Sequence, residues 1–295
     1  MPTGRRPLAV PSARLTAFRV LVAGYALVYL LVRAPAIFAL ARRPAEAFAP
    51  VGVLSFLHAP LPPFAVPLAW ALAVASAALV VWGRGGQAVR VAFAAALLVV
   101  LTYRNAWGMV FHTENLLVLH AIVLACARDA GDRVGTLLAP APAARTAEGW
   151  PLRLAAAVTA LSYVLAGVAK VRLSGFDWIF DETLRHYVAY DNVRKLELGA
   201  AGAPLGPWLL ALPGVFPPLA AATLVFELGF FAALLHRRAA AVLCAVAWCF
   251  HLGVLLTMAI FFPYPLSGVA FAPFFHLERP AGWLPNAARR GLRGL

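Results

Sequence analysis

Long apolar stretches recur along this chain, and they decide what it can fold into. Crossing the hydrocarbon of a bilayer takes about 20 helical residues at 1.5 Å each. The first such run, Thr16–Leu40, is broken by charge only at Arg19 and Arg33. It is too long for a cleaved signal peptide and reads as a first span. Further spans are expected near Pro63–Trp82, Ala88–Tyr103, Asn115–Ala127, Leu152–Val171, Pro218–Leu235, Ala239–Phe262 and Pro265–Leu277. The fourth and eighth are short, so tilt, extension or partial re-entry is expected there. The pattern predicts an all-α fold, a polytopic membrane helical bundle of about eight transmembrane helices. It would comprise an N-terminal tail at 1–15, a bundle at 16–277 and a C-terminal tail at 278–295. Composition agrees: 13% of residues are charged and the mean hydropathy is +0.82, whereas soluble domains carry about 25% charged residues.

The net charge of +13 invites a nucleic-acid partner, but the arginines sit mostly in short clusters between apolar segments. That is the pattern that orients membrane proteins. With the N-terminus inside, Arg5, Arg6, Arg14, Arg84, Arg90, Arg128, Arg133, Arg145, Arg153, Arg237, Arg238, Arg279, Arg289, Arg290 and Arg293 fall on the inner side. Arg42, Arg43, Arg104, Arg172, Arg185, Arg194 and Lys195 fall outside. The bias favours cytoplasmic N- and C-termini. Membrane lipids are the expected surroundings, with no nucleic acid. Cys126, Cys244 and Cys249 lie in apolar segments without metal-ligand spacing, so no metal is expected. The wealth of alanine and arginine points to a GC-rich bacterial genome and a plasma-membrane location.

This orientation puts two polar loops, Tyr103–Asn115 and Val171–Gly206, on one outer face. In the second, Phe176, Ile179, Phe180, Thr183, Leu184, Tyr187 and Val188 follow helical spacing, with Asp177, Asp181, Glu182, Arg185 and His186 opposite. An amphipathic helix over 176–195 is expected between the fifth and sixth spans, with an Asp181–Arg185 pair. It would lie in the interface, anchored by Trp178 and the tyrosines. Pro204, Pro207, Pro213, Pro217 and Pro218 should break the approach to the sixth span. Ala139–Glu148 reads as a flexible inner linker.

Ionisable residues inside spans are costly and are candidates for function. Glu227 sits within TLVFELGFFAALL, His251 within AVAWCFHLGVLLTM, and Lys170 closes LSYVLAGVAK; FHTEN at 111–115 opens the fourth span, with His120 beyond it. Each also has a plain structural reading. Glu227 serves as a bonded acid, His251 as a core histidine, His112 and Glu114 as a helix start, and Lys170 as a snorkelling cation. The choice of residue weighs against the last. The chain has two lysines, Lys170 and Lys195, and uses arginine for every other cation. Arginine stays protonated, whereas a desolvated lysine can release its proton. A task that needs an amine base selects lysine.

The segment YVLAGVAKVRLSGFDW, with Arg185–His186 after it, LVFELGFFAALL, WCFHLGVLLTMAIFFPYPL and HTENLLVLH together resemble the HTTM family. This is the membrane domain shared by the vitamin K-dependent γ-carboxylase and bacterial relatives. The resemblance covers roughly Thr16 to Leu277. It implies that Lys170 deprotonates a reduced vitamin K, menaquinol or another lipid quinol. The resulting anion reacts with oxygen to form a strong base, which removes a proton from substrate, and the carbanion takes up CO2. Lys170, His112, Glu114 and His251 would then be catalytic, while Glu227, Trp178 and Trp248 would bind the cofactor. The family's assisting histidine falls nearest Glu114, with His112 two residues earlier. The carboxylase's large peptide-binding region has no counterpart before Leu295, so that kind of recognition would need a partner.

Two functions are expected from these residues. One is a quinol-dependent, carboxylase-like enzyme (a lyase) acting on a secreted peptide or small molecule. The alternative is a non-catalytic membrane accessory or peptide-maturation protein on the same bundle.

Overall fold

A computed structural model describes residues 9–108, 110, 112–128, 131, 137 and 146–277. The tail segments at 1–8 and 278–295, Phe111, Arg133 and linker positions 139–145 lie outside the described residues. The chain divides into two compact units. One holds the described residues up to Ala155 together with Phe275, His276 and Leu277; the other is Ala156–Phe274.

The first unit is built on α1 (Ser12–Ala39), α2 (Ala65–Trp82), α3 (Gly86–Asn105) and α4 (Asn115–Cys126). A 3-10 turn carries α1 on to Arg42. Between helices in lipid there is little hydrophobic drive, so close packing of small side chains matters more. Ala23 and Ala26 of α1, and Ala73, Ser76 and Ala77 of α2, are accordingly buried. A short antiparallel pair joins β1 (Ala9–Pro11) to β2 (Thr146–Glu148), with Ala9 opposite Glu148. The end of the expected linker is therefore paired backbone.

The helix α4 has 12 residues, about 18 Å of rise, well short of a ~30 Å hydrocarbon layer. It nevertheless runs back along α3. Glu114, just before its first turn, meets Arg104 in the last turn of α3. The carbonyls at its other end are taken by side chains from the first turns of α3. Arg90 donates to Leu124 at 3.0 Å and Ala127 at 2.6 Å, and Gln87 donates to Ala125 at 3.1 Å. A helix C-terminus that would strand its carbonyls in an apolar setting is thus satisfied by a buried guanidinium.

In chain order, α5 (Trp150–Ser174) opens in the first unit and continues in the second. The second unit then has α6 (Asp177–Phe180), α7 (Thr183–Glu197), α8 (Gly206–Leu210), α9 (Phe216–Gly229), α10 (Arg237–Met258) and α11 (Pro263–Leu266). A 3-10 turn extends α9 to Leu234, and another, Val269–Phe274, follows α11. Pro207, Pro213 and Pro217 all sit at the starts of short or entering helices, where their missing N–H costs nothing.

Six helices among the described residues are long and apolar enough to cross a membrane: α1, α2, α3, α5, α9 and α10, counted with their extensions. The chain is an all-α, multi-pass membrane protein, with six such helices rather than the eight expected. The shortfall at α4 is one of length. The other is the expected eighth span, Pro265–Leu277, where Pro265 and Pro273 interrupt the amide ladder and leave short turns. This broken segment runs back along α10. Phe262 packs on His251 at 4.8 Å between ring centroids, and Leu266 O then accepts the indole N–H of Trp248 at 2.9 Å. Ala270 O accepts from the Thr159 hydroxyl at 3.1 Å. Irregular backbone within a bilayer persists only where protein satisfies it, and Tyr264, Ala270 and Phe271 are buried here.

The expected amphipathic helix is two helices. Asp181 leaves helical geometry, at φ −83 and ψ 159, which removes the spacing that an Asp181–Arg185 pair requires. Arg185 instead pairs with Glu182 at 2.6 Å. Beyond the break, side chains of α7 and the backbone just before α8 cap the end of α10. Leu256 O accepts the Leu205 N–H at 2.9 Å, Thr257 O accepts Asn192 Nδ2 at 2.8 Å, and Met258 O accepts Lys195 Nζ at 2.5 Å. Asn192 Oδ1 accepts the Ala203 N–H at 2.7 Å. A Cβ at Gly206 would lie 2.6 Å from Asn192 Nδ2 and 2.8 Å from Thr257 O, so this junction closes only around glycine.

Candidate functional site

One face of α5 carries Tyr163, Gly167 and Lys170, spaced four and then three residues apart. That spacing stacks them along a single stripe. All three meet α9. Tyr163 stacks on Phe230 at 4.4 Å between centroids and meets Phe226 edge-on at 5.3 Å. At Gly167 an added Cβ would lie 2.9 Å from Leu228 Cδ2 and 3.1 Å from Glu227 Cβ. The bare glycine lets the helices approach closely enough for the next turn to form a direct ion pair.

That pair is Lys170–Glu227. Lys170 Nζ donates to Oε1 and Oε2 of Glu227 at 2.7 Å each. The carboxylate side chain is 3% exposed and the lysine 20%. The lysine's amine is held on a buried acid. The face of Trp178, in α6, lies 5.2 Å from Nζ, within cation–π range. Trp178 is itself buried against Ala220 and Leu224 of α9. Its indole N–H has no acceptor among the described residues. Two of the ammonium's three donors are engaged by Glu227, so a third N–H and an indole N–H remain at this position.

Farther back on the same stripe, the Tyr163 hydroxyl and His251 Nε2 are 2.9 Å apart, and both residues are buried. Phe250 and Phe262 enclose the imidazole. The second unit therefore holds two polar pairs along α5, Lys170–Glu227 and Tyr163–His251, with Gly167 and phenylalanine rings between them.

The remaining expected residues have other settings. Trp248 is 40% exposed and its indole is committed to Leu266 O. His112 and Glu114 belong to the first unit. Glu114 is buried and accepts from the Tyr29 hydroxyl at 2.5 Å and from Arg104 at 2.8 Å, while Arg104 also donates to that hydroxyl at 2.8 Å. His112 is exposed, and its carbonyl accepts the Asn115 N–H. His120 is fully buried, with Ala155 O 3.2 Å from its Nε2 and Phe18 edge-on to its ring. The Tyr29–Arg104–Glu114 cluster thus joins α1, α3 and the start of α4.

Sequence reasoning overlooked Tyr163 and Gly167, and with them the stripe that aligns both pairs. Their signal was present in YVLAGVAK as i, i+4, i+7 spacing ending at the lysine. It also overlooked Arg104 and Tyr29 as partners of Glu114.

Comparison with protein-family models, with curated proteins and with solved structures gives no match to this chain.

Proposed function

We propose that this membrane protein is a quinol-dependent enzyme of the carboxylase or oxygenase kind, related to the HTTM family. In this reading Lys170 is the proton acceptor, in the plasma membrane of a bacterium, with both termini cytoplasmic. The observation that carries it is the Lys170–Glu227 pair. A lysine at the end of an apolar helix is drawn onto a buried carboxylate, under an indole whose N–H has no partner among the described residues.

The pair can do the required chemistry with its own atoms. Moving one proton from Lys170 Nζ to Glu227 across 2.7 Å converts an ion pair into a neutral amine and a neutral acid. The net charge is unchanged, and two buried charges are avoided. The amine then holds the lone pair that a general base needs. When Nζ takes up a proton from an acidic hydroxyl, the ammonium that forms stands beside the new anion and neutralises it. The indole N–H of Trp178, without an acceptor among the described residues, suits an oxygen on a flat, lipid-soluble ring, and once Nζ has taken up the proton its third N–H serves the same oxygen. A reduced lipid quinone would supply that acidic hydroxyl and two reducing equivalents. Glu227 positions Lys170, and Tyr163–His251 is a second pair able to hold a proton on the same stripe.

The test is oxygen uptake by the purified protein supplied with menaquinol. Uptake that falls at least about tenfold in Lys170→Arg supports an amine base, since arginine keeps the charge but not the lone pair. Equal uptake by wild type and variant, or none by either, removes the enzymatic reading. It would leave the non-catalytic accessory role, in which the pair only joins α5 to α9.

A further inference from the structure

The polar face of α7 points inward. Val188, Asp191 and Asn192 are buried, and Asn192 and Lys195 reach the carbonyls that end α10. Outward stand Tyr187, Tyr190, Val193 and Leu196, exposed at 52, 65, 53 and 63%. They recur every three residues, so each adjoins the next in a winding stripe that crosses the outer half of the helix. His186 and Glu197 are exposed on the same side, so the outer face mixes large apolar groups with polar ones, as a membrane boundary accommodates.

What covers this stripe follows from the chain that leads to it. On α5, which is long and apolar enough to cross a membrane, Leu161, Leu165 and Val168 are exposed, as are Leu173, Phe176 and Phe180 in the chain that leads to α7. Exposed apolar residues therefore recur in chain order from a membrane-crossing helix, through α6, into α7. The two tyrosines suit the boundary layer, where an apolar ring and a wet hydroxyl are both accommodated. Charge does not select the partner. Arg194, 5.9 Å from the Tyr190 ring, is held by Asp191 at 3.0 Å, and Arg185 is held by Glu182.

We propose that α7 is seated in the bilayer itself, with the Tyr187–Leu196 stripe in the boundary between headgroups and acyl chains. Its partner is the lipid that surrounds α5. The bonds to α10 hold α7 from within, so the stripe is displayed on a support that does not depend on lipid. This holds whether or not the Lys170 site is enzymatic.

The test uses the full chain in nanodiscs of phosphatidylcholine and phosphatidylglycerol. Exposed Cys126 and Cys249 are replaced by Ala, and buried Cys244 is kept. A nitroxide label is placed at Tyr190→Cys or, separately, at Val193→Cys. Val225→Cys, on the exposed side of α9, and Arg84→Cys, in the exposed turn after α2, serve as lipid and water references. Power saturation compares collisions with dissolved oxygen and with Ni(II)EDDA. Both stripe labels should show an oxygen-to-nickel ratio clearly above that at Arg84 and approaching that at Val225. A ratio equal to that at Arg84 puts the stripe in water and overturns the proposal. So does protection from both reagents, which means protein cover. So does spin–spin broadening that disappears on dilution with unlabelled chain, which means a second copy.

Discussion

Removing either half of the Lys170–Glu227 pair should cost more stability than removing both, and the two halves should differ. At 2.7 Å the attraction is about 6 kcal/mol for an effective dielectric near 20. Desolvating two ions takes back a comparable amount, several kcal/mol each. The pair is therefore nearly neutral against an apolar replacement, but its members depend on one another. Lys170→Met strands a carboxylate whose side chain is 3% exposed, a loss of about 3–5 kcal/mol. Glu227→Gln leaves an ammonium on a flexible stem that is already 20% exposed. That cation can turn toward the interface and keep one bond to the amide, so about 1–2 kcal/mol is expected. The double variant Lys170→Met/Glu227→Leu should return to within about 1 kcal/mol of wild type. Unfolding in mixed micelles titrated with SDS, followed by tryptophan emission, measures all four proteins, and Trp178 reports locally. Equal single costs, a reversed order, or additive losses in the double variant would refute the argument from unequal burial.

Other substitutions isolate single contacts. Gly167→Ala should push α9 from α5, because its Cβ meets Glu227 Cβ at 3.1 Å. A loss of about 1–3 kcal/mol is expected, read in the same titration. Tyr163→Phe keeps the ring stack and removes only the hydroxyl at His251, so about 1 kcal/mol is expected, with a shifted imidazole resonance in NMR. Trp178→Phe keeps an aromatic face for Lys170 and deletes the indole N–H. Under the enzymatic reading it should raise KM for menaquinol with little change in stability. Lys195→Met leaves Met258 O without its donor, costing about 1–2 kcal/mol, and hydrogen exchange should rise first in the last turn of α10.

The six crossing helices were legible because a long apolar run has few alternatives in a bilayer. The fourth and eighth segments were not, because their anchors are remote in sequence: α4 ends on Arg90 and Gln87, and the broken segment is satisfied by Trp248 and Thr159. Lys170 was conspicuous by residue type alone, and Glu227 by its place in an apolar run. That they are partners was not, since nothing local says which faces of α5 and α9 meet. The lining of α6 and α7 was legible only in part. Apolar spacing marks a face but does not say whether protein or lipid lies against it. Phe176, Phe180 and Tyr187 face outward, while Asp191 and Asn192 face in. The Asp181–Arg185 spacing suggested a pair only if the helix ran unbroken.

The end of α10 also bears on the order in which the chain folds. Its last carbonyls are satisfied by groups 63 and 65 residues earlier in sequence, Lys195 with Met258 and Asn192 with Thr257. The final turn of the helix that carries His251 is therefore a long-range structure, completed by docking rather than by local propensity. Because the donors are synthesised first, they are already present when those carbonyls emerge. Closure of that turn awaits a folded 183–206 region.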